Sequence, residues 1–554
     1  MVPCLTGVDV LGVQRFVFAS NRLRDVVGAS HLVHEATSRA GEAIATLAPP
    51  GQVLVATGGN AVLEFTGVDG EREARGFAAR YSRWLLERAP GLEVAVAHHP
   101  YAQGELAAAL RALQVRLERA KVERVPSVPL GGLGVTASCR QTGGPAAGVD
   151  TDDPSVPLSA AMLAARAGRE RAAARWQPFL GRATAALRVP GSVDFPDELE
   201  EFRSRGELSM VAIAHLDGNG VGVRIASLLR DFEEQGLPDG QVRERYQAVS
   251  RALEGSAEAA FTAVAERAAG ALAPGEGMWG GRVVVRGAEP RLTFAAPDRW
   301  PDHDRPPHGP EPPPRLLPVR PVLLGGDDLT FMADARVALN LAETGLAAFE
   351  RATEEVGDLV GGPLHACAGV AIVGAHAPIL RAYELAEQLC RSAKRLVRDR
   401  GVQASALDWH IGAVRPGERV ERLRERQYRA GTAGTLELTC RPYLLGSAAA
   451  PGTWRWLAAE LLGRDARGSL RGPGWGEHRS KVKQLERLAR EGPTALGGTL
   501  EVWRAVTPEL APPGGLDEGY LDERTPLLDA VELVDLHLPL EPAAPVPPEG
   551  GDAA

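Results

Sequence analysis

Short apolar runs bounded by turn residues, and longer stretches with apolar positions at helical spacing, follow one another along this chain in an order that occurs twice. The first occurrence begins with an apolar strand ending at Asp9. It continues with a helical pattern over 23–45, a hairpin over 53–65 turning at Gly58-Gly59-Asn60, a helix over 71–88 and a strand over 92–97. His98-His99-Pro100 then leads into a helix ending at Ala120-Lys121. The second begins with a strand over 210–216 ending at Asp217, followed by Gly218-Asn219-Gly220 and an amphipathic stretch over 221–232. Apolar runs over 321–324 and 329–332 flank Gly325-Gly326-Asp327-Asp328, which reads as a hairpin tip. A strand over 364–373 follows, and Pro378 opens a helix whose stripe runs Ile379, Tyr383, Ala386, Cys390, Ala393 and Val397, with Lys394 at its edge. Both series read strand, helix, hairpin, helix, strand, helix. A repeat this long implies two tandem copies of one α+β domain rather than a solenoid, whose units are shorter.

The remaining segments read as connections and additions. Residues 141–159 are rich in Gly, Pro and Asp and suggest a linker or long loop, with an Ala/Arg helix over 160–180 after it. The second copy carries an insertion at about 241–318: a helical stretch over 241–272, a strand pair over 282–294 and a proline-rich segment over 297–318. Beyond Gly412 the pattern turns helical and Arg-rich (418–428, 454–462, 479–490), then gives a strand over 527–538 and a disordered Pro/Ala tail. The domains expected are therefore 1–140, 141–205, 206–412 and 413–554. Arg479, Lys481 and Lys483 form a basic cluster able to meet RNA or a partner, although charged helices are mostly solvated faces.

Charge and cysteine content narrow the classes. The 554 residues carry a net charge of −9, with a pI near 5.8, which argues against a broadly basic nucleic-acid surface. No basic start with an apolar core and cleavage site is found, and no apolar run approaches ~20 residues, so a cytoplasmic protein without a membrane span is expected. Cys4, Cys139, Cys367, Cys390 and Cys440 show no two-residue spacing and read as buried reduced thiols rather than zinc ligands.

The chemistry concentrates in the second copy. Two glycines give a tight turn its φ freedom and let a phosphate approach the backbone, while Asp327 and Asp328 offer hard oxygen ligands for Mg²⁺ or Mn²⁺. Alone, the tetrapeptide is equally well a structural turn. Asp217 adds a third carboxylate at a strand end, and the Gly218-Asn219-Gly220 turn before a helix N-terminus makes a phosphate-binding corner. Carboxylates so joined can hold two metals about 3.5–4 Å apart. Lys394 is either a snorkelling lysine on a solvated face or a phosphate ligand, the latter supported by its match to Lys121. Where the second copy has Asp327-Asp328, the first is expected to have Asn60-Ala61, which cannot replace two anionic ligands.

These residues resemble the Cas ten family, the large palm polymerase/cyclase subunit of type III CRISPR effectors, and most of all its shorter members. The likeness runs through Asp9 to Phe16, Leu23 to Ser30, the Asp217 to Gly220 turn, the Gly325 to Asp328 hairpin, and Cys367 to Lys394. It implies two tandem ferredoxin-like palm domains with a helical linker and a helical C-terminal region. It further implies cyclic or linear oligoadenylate synthesis from ATP in antiviral defence, with metal ligands at Asp217, Asp327 and Asp328. On this reading Gly218, Asn219, Gly220, Gly325, Gly326 and Lys394 bind the nucleotide. An RNA or protein activator and CRISPR effector subunits are the partners implied. Family members often begin with an HD nuclease domain; here the first copy starts within ten residues and the one His-Asp pair, His303-Asp304, lies among prolines, so nuclease activity is not expected. A diguanylate-cyclase-like GTP enzyme and a non-catalytic nucleotide-binding subunit of a ribonucleoprotein remain as alternatives.

Overall fold

The computed structural model describes residues 2–48, 53–125, 133–187, 191–202, 210–273, 282–285, 292–295, 314–413, 415, 417–430 and 435–540. The His303-Asp304 pair, most of the proline segment and the Pro/Ala tail lie outside the described residues.

The first copy runs β1 (Cys4–Leu11), α1 (Leu23–Thr37), β2 (Val53–Thr57), β3 (Asn60–Phe65), α2 (Gly70–Arg88), β4 (Glu93–Pro100) and α3 (Leu106–Glu123). Its antiparallel sheet has the order β2-β3-β1-β4. The helical pattern over 23–45 is interrupted: α1 ends at Thr37, and Glu42–Leu47 starts a separate short helix after an extended Ser38 and Gly41. The strand expected to end at Ala97 continues through His98 and His99 to Pro100, because all three pair with the start of β1.

After α4 (Ala160–Ala186), the second copy runs β5 (Met210–Gly218), α5 (Val221–Glu234), α6 (Asp239–Gly270), β6 (Val319–Gly325), β7 (Asp328–Asp334), α7 (Ala338–Glu355), β8 (Ala366–Gly374), α8 (Ile379–Arg400), β9 (Ala406–Ile411) and β10 (Tyr443–Leu444). Its sheet has the order β6-β7-β5-β8-β9-β10. The first four strands repeat the order of the first sheet, hairpin then first strand then fourth strand. Within the insertion, α6 is the helix, and Arg282–Val285 pairs antiparallel with Leu292–Ala295.

Strand alternation explains how the copies share a core. On β5, Ala212, Ala214 and Leu216 face a cluster with Phe261 of α6 and Leu346 of α7. Val211 and Ile213, one position out of phase, join a second cluster with Val26 of α1, Phe77 of α2 and Tyr383 of α8. The α8 stripe is the reason its helix docks on this face: Ile379, Tyr383, Ala386, Cys390, Ala393 and Val397 are all buried, while Arg391, Arg395 and Arg398 are exposed. Polar contacts reinforce the joint. Asn21 accepts a hydrogen bond from the N–H of Ile379 at 3.0 Å, capping α8 from the first copy, and the Ser30 hydroxyl donates to the carbonyl of Val322.

The 141–159 segment is a long loop with one two-residue pairing, and it is pinned, since Asp150 is buried and pairs with Arg166 and, at 3.2 Å, with Arg22. Other expectations change. The strand expected over 527–538 is instead the helix Leu527–Leu533. Its apolar positions Leu527, Leu528, Ala530 and Leu533 suit a helical face, and buried Asp529 accepts hydrogen bonds from Thr439 (2.6 Å), the Cys440 N–H (2.8 Å) and Tyr443 (2.7 Å). Past Gly412 the chain is not simply helical either, because Tyr443–Leu444 pairs with β9 and extends the second sheet. A helix that the pattern missed, Pro493–Val506, follows Arg479–Glu491.

Candidate active site

The β5, β6 and β7 strands bring three carboxylates to one sheet end. Asp217 of β5 lies directly opposite Asp328 of β7 in the antiparallel register, and Asp327 occupies the two-residue turn beside them. The Asp327 carbonyl accepts the Gly218 N–H at 3.2 Å, tying the turn to β5. A Cβ at Gly218 would stand 2.8 Å from Asp327 Oδ2 and from Val221 Cγ2, so a larger residue there would displace the Asp327 carboxylate. Burial, together with Asp217 and Asp328, pushes the Asp327 carboxyl up to about 7. Burial and then Asp217 hold Asp328 well above the ordinary carboxylate range.

Lys394 lies over this end of the sheet from α8. Its ammonium is 2.7 Å from Asp217 Oδ2 and donates to the Gly218 carbonyl at 2.7 Å. Burial pulls the Lys394 pKa down, but the Asp217 carboxylate outweighs it and the pKa is raised. Asn219 anchors the following turn, its N–H donating to the His365 carbonyl at 2.8 Å, and Gly220 (φ 68°) starts α5. Gly325 ends β6 and Gly326 (φ 64°) opens the turn.

His215 was not among the residues singled out in the sequence. It shares the Asp217 face of β5, two residues away, with Nδ1 3.1 Å from Thr330 Oγ1 and 3.2 Å from Asp328 Oδ1. Burial lowers its pKa. The H-x-D spacing on a strand was the available signal.

The first copy repeats the arrangement with different chemistry. Lys121 of α3 pairs with Asp9 of β1, as Lys394 pairs with Asp217. The register corrects the expected match of Asn60-Ala61 to Asp327-Asp328 by one residue. Asn60 lies opposite Asp9 and so corresponds to Asp328, which leaves Gly59 at the position of Asp327. Oriented by its hydrogen bonds, the Asn60 amide donates to Asp9 at 3.0 and 3.3 Å. An amide donor and a hydrogen atom thus stand where the second copy has two carboxylates.

The two hairpin tips touch. A Cβ on Gly325 would lie 2.6 Å from the Gly58 nitrogen, so neither tip admits a side chain at the contact. The Gly326 N–H donates to Thr57 Oγ1 at 3.0 Å, and Gln14 donates to Glu387 at 3.1 Å nearby. A cavity of about 900 Å³ is bordered by Gln14, Ser30 and His34 of the first copy, by Asp328 and Tyr383 of the second, and by residues of α4, α6 and α7. That volume suits a nucleotide-sized ligand.

The donor set fits a hard divalent cation. Three carboxylates face one ammonium, and buried Asp328 Oδ1 makes no hydrogen bond, its nearest polar contact being the 3.2 Å approach of His215 Nδ1. A cation would relieve the repulsion and give that oxygen a full partner. Among the described residues no helix is long and apolar enough to cross a membrane.

Residues 210–402 match the family model for Cas10/Cmr2, second palm domain. The chain is similar to a solved Csm1-Csm4 cassette in complex with pppApA at 14% identity, covering 96% of this chain and 69% of that chain, with a TM-score of 0.48. It is similar to the cassette in complex with pppApApA at 14% identity, with the same coverages and a TM-score of 0.49. Csm1 from T. onnurineus is matched at 14% identity over 96% of this chain and 70% of that chain, with a TM-score of 0.49. No curated protein matches the chain.

Proposed function

We propose, from the premise that this chain carries the second palm domain of the Cas10/Cmr2 family, that it is a metal-dependent nucleotidyltransferase making oligoadenylate from ATP in type III CRISPR defence. The observation that carries this reading is the opposition of Asp217 and Asp328 across β5 and β7, with Asp327 at the tip and Lys394 bonded to Asp217. Asp217, Asp327 and Asp328 would hold Mg²⁺ or Mn²⁺. Bound there, such ions would neutralise the triphosphate and lower the pKa of an attacking ribose hydroxyl.

The chain's own groups account for the rest. Lys394 fixes the Asp217 carboxylate against the Gly218 carbonyl and brings a positive charge to the triphosphate side of the site. The Gly218–Gly220 turn and the α5 N-terminus offer backbone N–H groups to phosphate oxygens. Thr57 and the glycines at both tips hold the two hairpins in register, so that a nucleotide in the intervening cavity meets both copies. In-line attack of a 3′ hydroxyl on the α-phosphorus of a second ATP then forms the new P–O bond as pyrophosphate leaves. Asn60 and Gly59 leave the first copy without the carboxylates that would support a second such centre.

The test is incubation of the purified full chain with each labelled NTP and Mg²⁺ or Mn²⁺, with products resolved by mass spectrometry and ATP binding measured in parallel. Metal-dependent ATP binding and adenylate oligomers with released pyrophosphate are expected. Absence of both metal-dependent binding and product for every NTP would overturn the reading.

A further inference from the structure

Behind Asp217, on the face turned to α8, two side chains stand that the proposed transfer reaction does not use. His215 and Cys390 are both buried, at 5% and 1% exposure. The candidate ligand atoms of His215, Asp217 and Cys390 lie within 4.8 Å of one another. Backbone geometry explains the cluster: His215 and Asp217 occupy alternate positions of β5 and therefore share a face, while Cys390 precedes Lys394 by one turn on the α8 stripe. The Cys390 thiol has a weak engagement, donating to the Cys367 carbonyl at 3.2 Å.

An imidazole nitrogen, a carboxylate oxygen and a sulfur suit a different metal from the one that three carboxylates suit. Mg²⁺ requires oxygen ligands, whereas a mixed N, O and S set selects borderline and soft ions, Zn²⁺ first among those without redox chemistry. Zinc bonds of about 2.0–2.3 Å place tetrahedral ligands about 3.3–3.8 Å apart, so a closure of about 1 Å brings the three groups into reach. Water would complete the fourth position, and the thiol proton would pass to solvent.

We propose that His215, Asp217 and Cys390 form a binding site for a thiophilic divalent cation, Zn²⁺ or its analogues, which shares Asp217 with the magnesium site. A cation bound there competes with Mg²⁺ for the carboxylate and repels the Lys394 ammonium, which is bonded to Asp217 Oδ2. Zinc therefore acts as an inhibitor drawn from behind the site, and the thiol gives it selectivity. The inhibitory effect rests on the nucleotidyltransferase reading above; the ligation itself does not.

The experiment titrates metal-free, reduced full-length protein with Co²⁺ and follows the thiolate-to-cobalt charge-transfer absorption in the near ultraviolet, then displaces Co²⁺ with Zn²⁺. One equivalent of Co²⁺ producing this band, its loss in Cys390→Ala, and Zn²⁺ binding at least tenfold weaker in that variant are expected. In turnover assays Cys390→Ala keeps Mg²⁺-supported activity, with the inhibitory Zn²⁺ concentration raised at least tenfold. Cys390→Ser, closer in volume, serves if the alanine variant loses its far-ultraviolet circular dichroism. Absence of the band in the unaltered protein overturns the site without any variant, as does a band or zinc affinity that survives loss of Cys390. A cobalt–thiolate band in a protein that makes no oligonucleotide supports the metal site and counts against the transferase reading instead.

Discussion

The Thr57 hydroxyl accepts the backbone N–H of Gly326 at 3.0 Å, so a residue of the first copy holds the acidic hairpin of the second. Removing the acceptor leaves a backbone donor at the tip contact with a lost hydrogen bond of about 0.5–1.5 kcal/mol. Thr57→Val preserves the shape of the side chain but not this bond. It should lower stability by no more than about 1.5 kcal/mol yet reduce turnover about tenfold, since a small displacement of positioned groups is amplified in rate. Thermal melts and initial rates compared on the same preparations check this; unchanged turnover would show that the second hairpin is rigid without its neighbour.

Asp327→Ala with Asp328→Ala should abolish nucleotide condensation while the protein folds. Burial and then the Asp217 carboxylate raise both carboxyl pKa values, so the ionised forms destabilise the metal-free protein at neutral pH. The double variant should therefore melt higher than the unaltered chain without metal, and Mg²⁺ should raise the melting temperature of the unaltered chain alone. Asn60→Ala provides the control: its amide only braces Asp9, and turnover should be nearly unchanged. A loss comparable to that of the double Asp variant would mean that the two hairpins share one catalytic centre.

The parts of this site legible in the sequence were those encoded within one element. The α8 stripe announced its buried face because apolar residues recur at helical spacing, and Asp217, Gly218 and Gly220 announced a strand end followed by a helix start. The Thr57–Gly326 bond was not legible, since nothing local marks a contact between residues 269 positions apart. The one-residue error at Asn60 has a similar origin. Hairpin register is decided by which residues face Asp9 and Asp217 across the sheet, and aligning two glycines with two glycines misplaces it. The segment after Pro526 misled for another reason. Its dense apolar run fits either period, and the choice of helix is fixed by buried Asp529 meeting Thr439, Cys440 and Tyr443 from a distant segment.

Acid should weaken the fold through two buried histidines. Burial, followed by Arg471, lowers the His537 pKa to about 3, and burial with Arg441 and Arg424 lowers that of His410 to about 3. Both imidazoles are held neutral when folded but gain a proton in the unfolded chain near pH 6.5. Their contribution is therefore complete above pH 6.5 and declines as pH falls towards 3, by at most about 1.4 kcal/mol per pH unit for each. Denaturant unfolding at pH 7, 6 and 5 should show this slope, and His537→Phe should flatten it. An identical slope in the variant would assign the acid sensitivity to other groups.

Lys394 distinguishes a positioning role from a solvated one most sharply, because its ammonium is committed to Asp217 and Gly218 rather than to solvent. Lys394→Ala removes the charge that holds Asp217 in place and faces the triphosphate. Turnover or NTP affinity should fall at least tenfold, about 1.4 kcal/mol, and the metal-free melting temperature should fall as well, because the ammonium offsets the repulsion among the carboxylates. Lys394→Arg keeps the charge but replaces a compact ammonium by a planar fork, and should recover only part of the loss. In NTP titrations the order should be unaltered chain, arginine, alanine. Equal behaviour of all three would remove Lys394 from the site and leave the carboxylates to act without it.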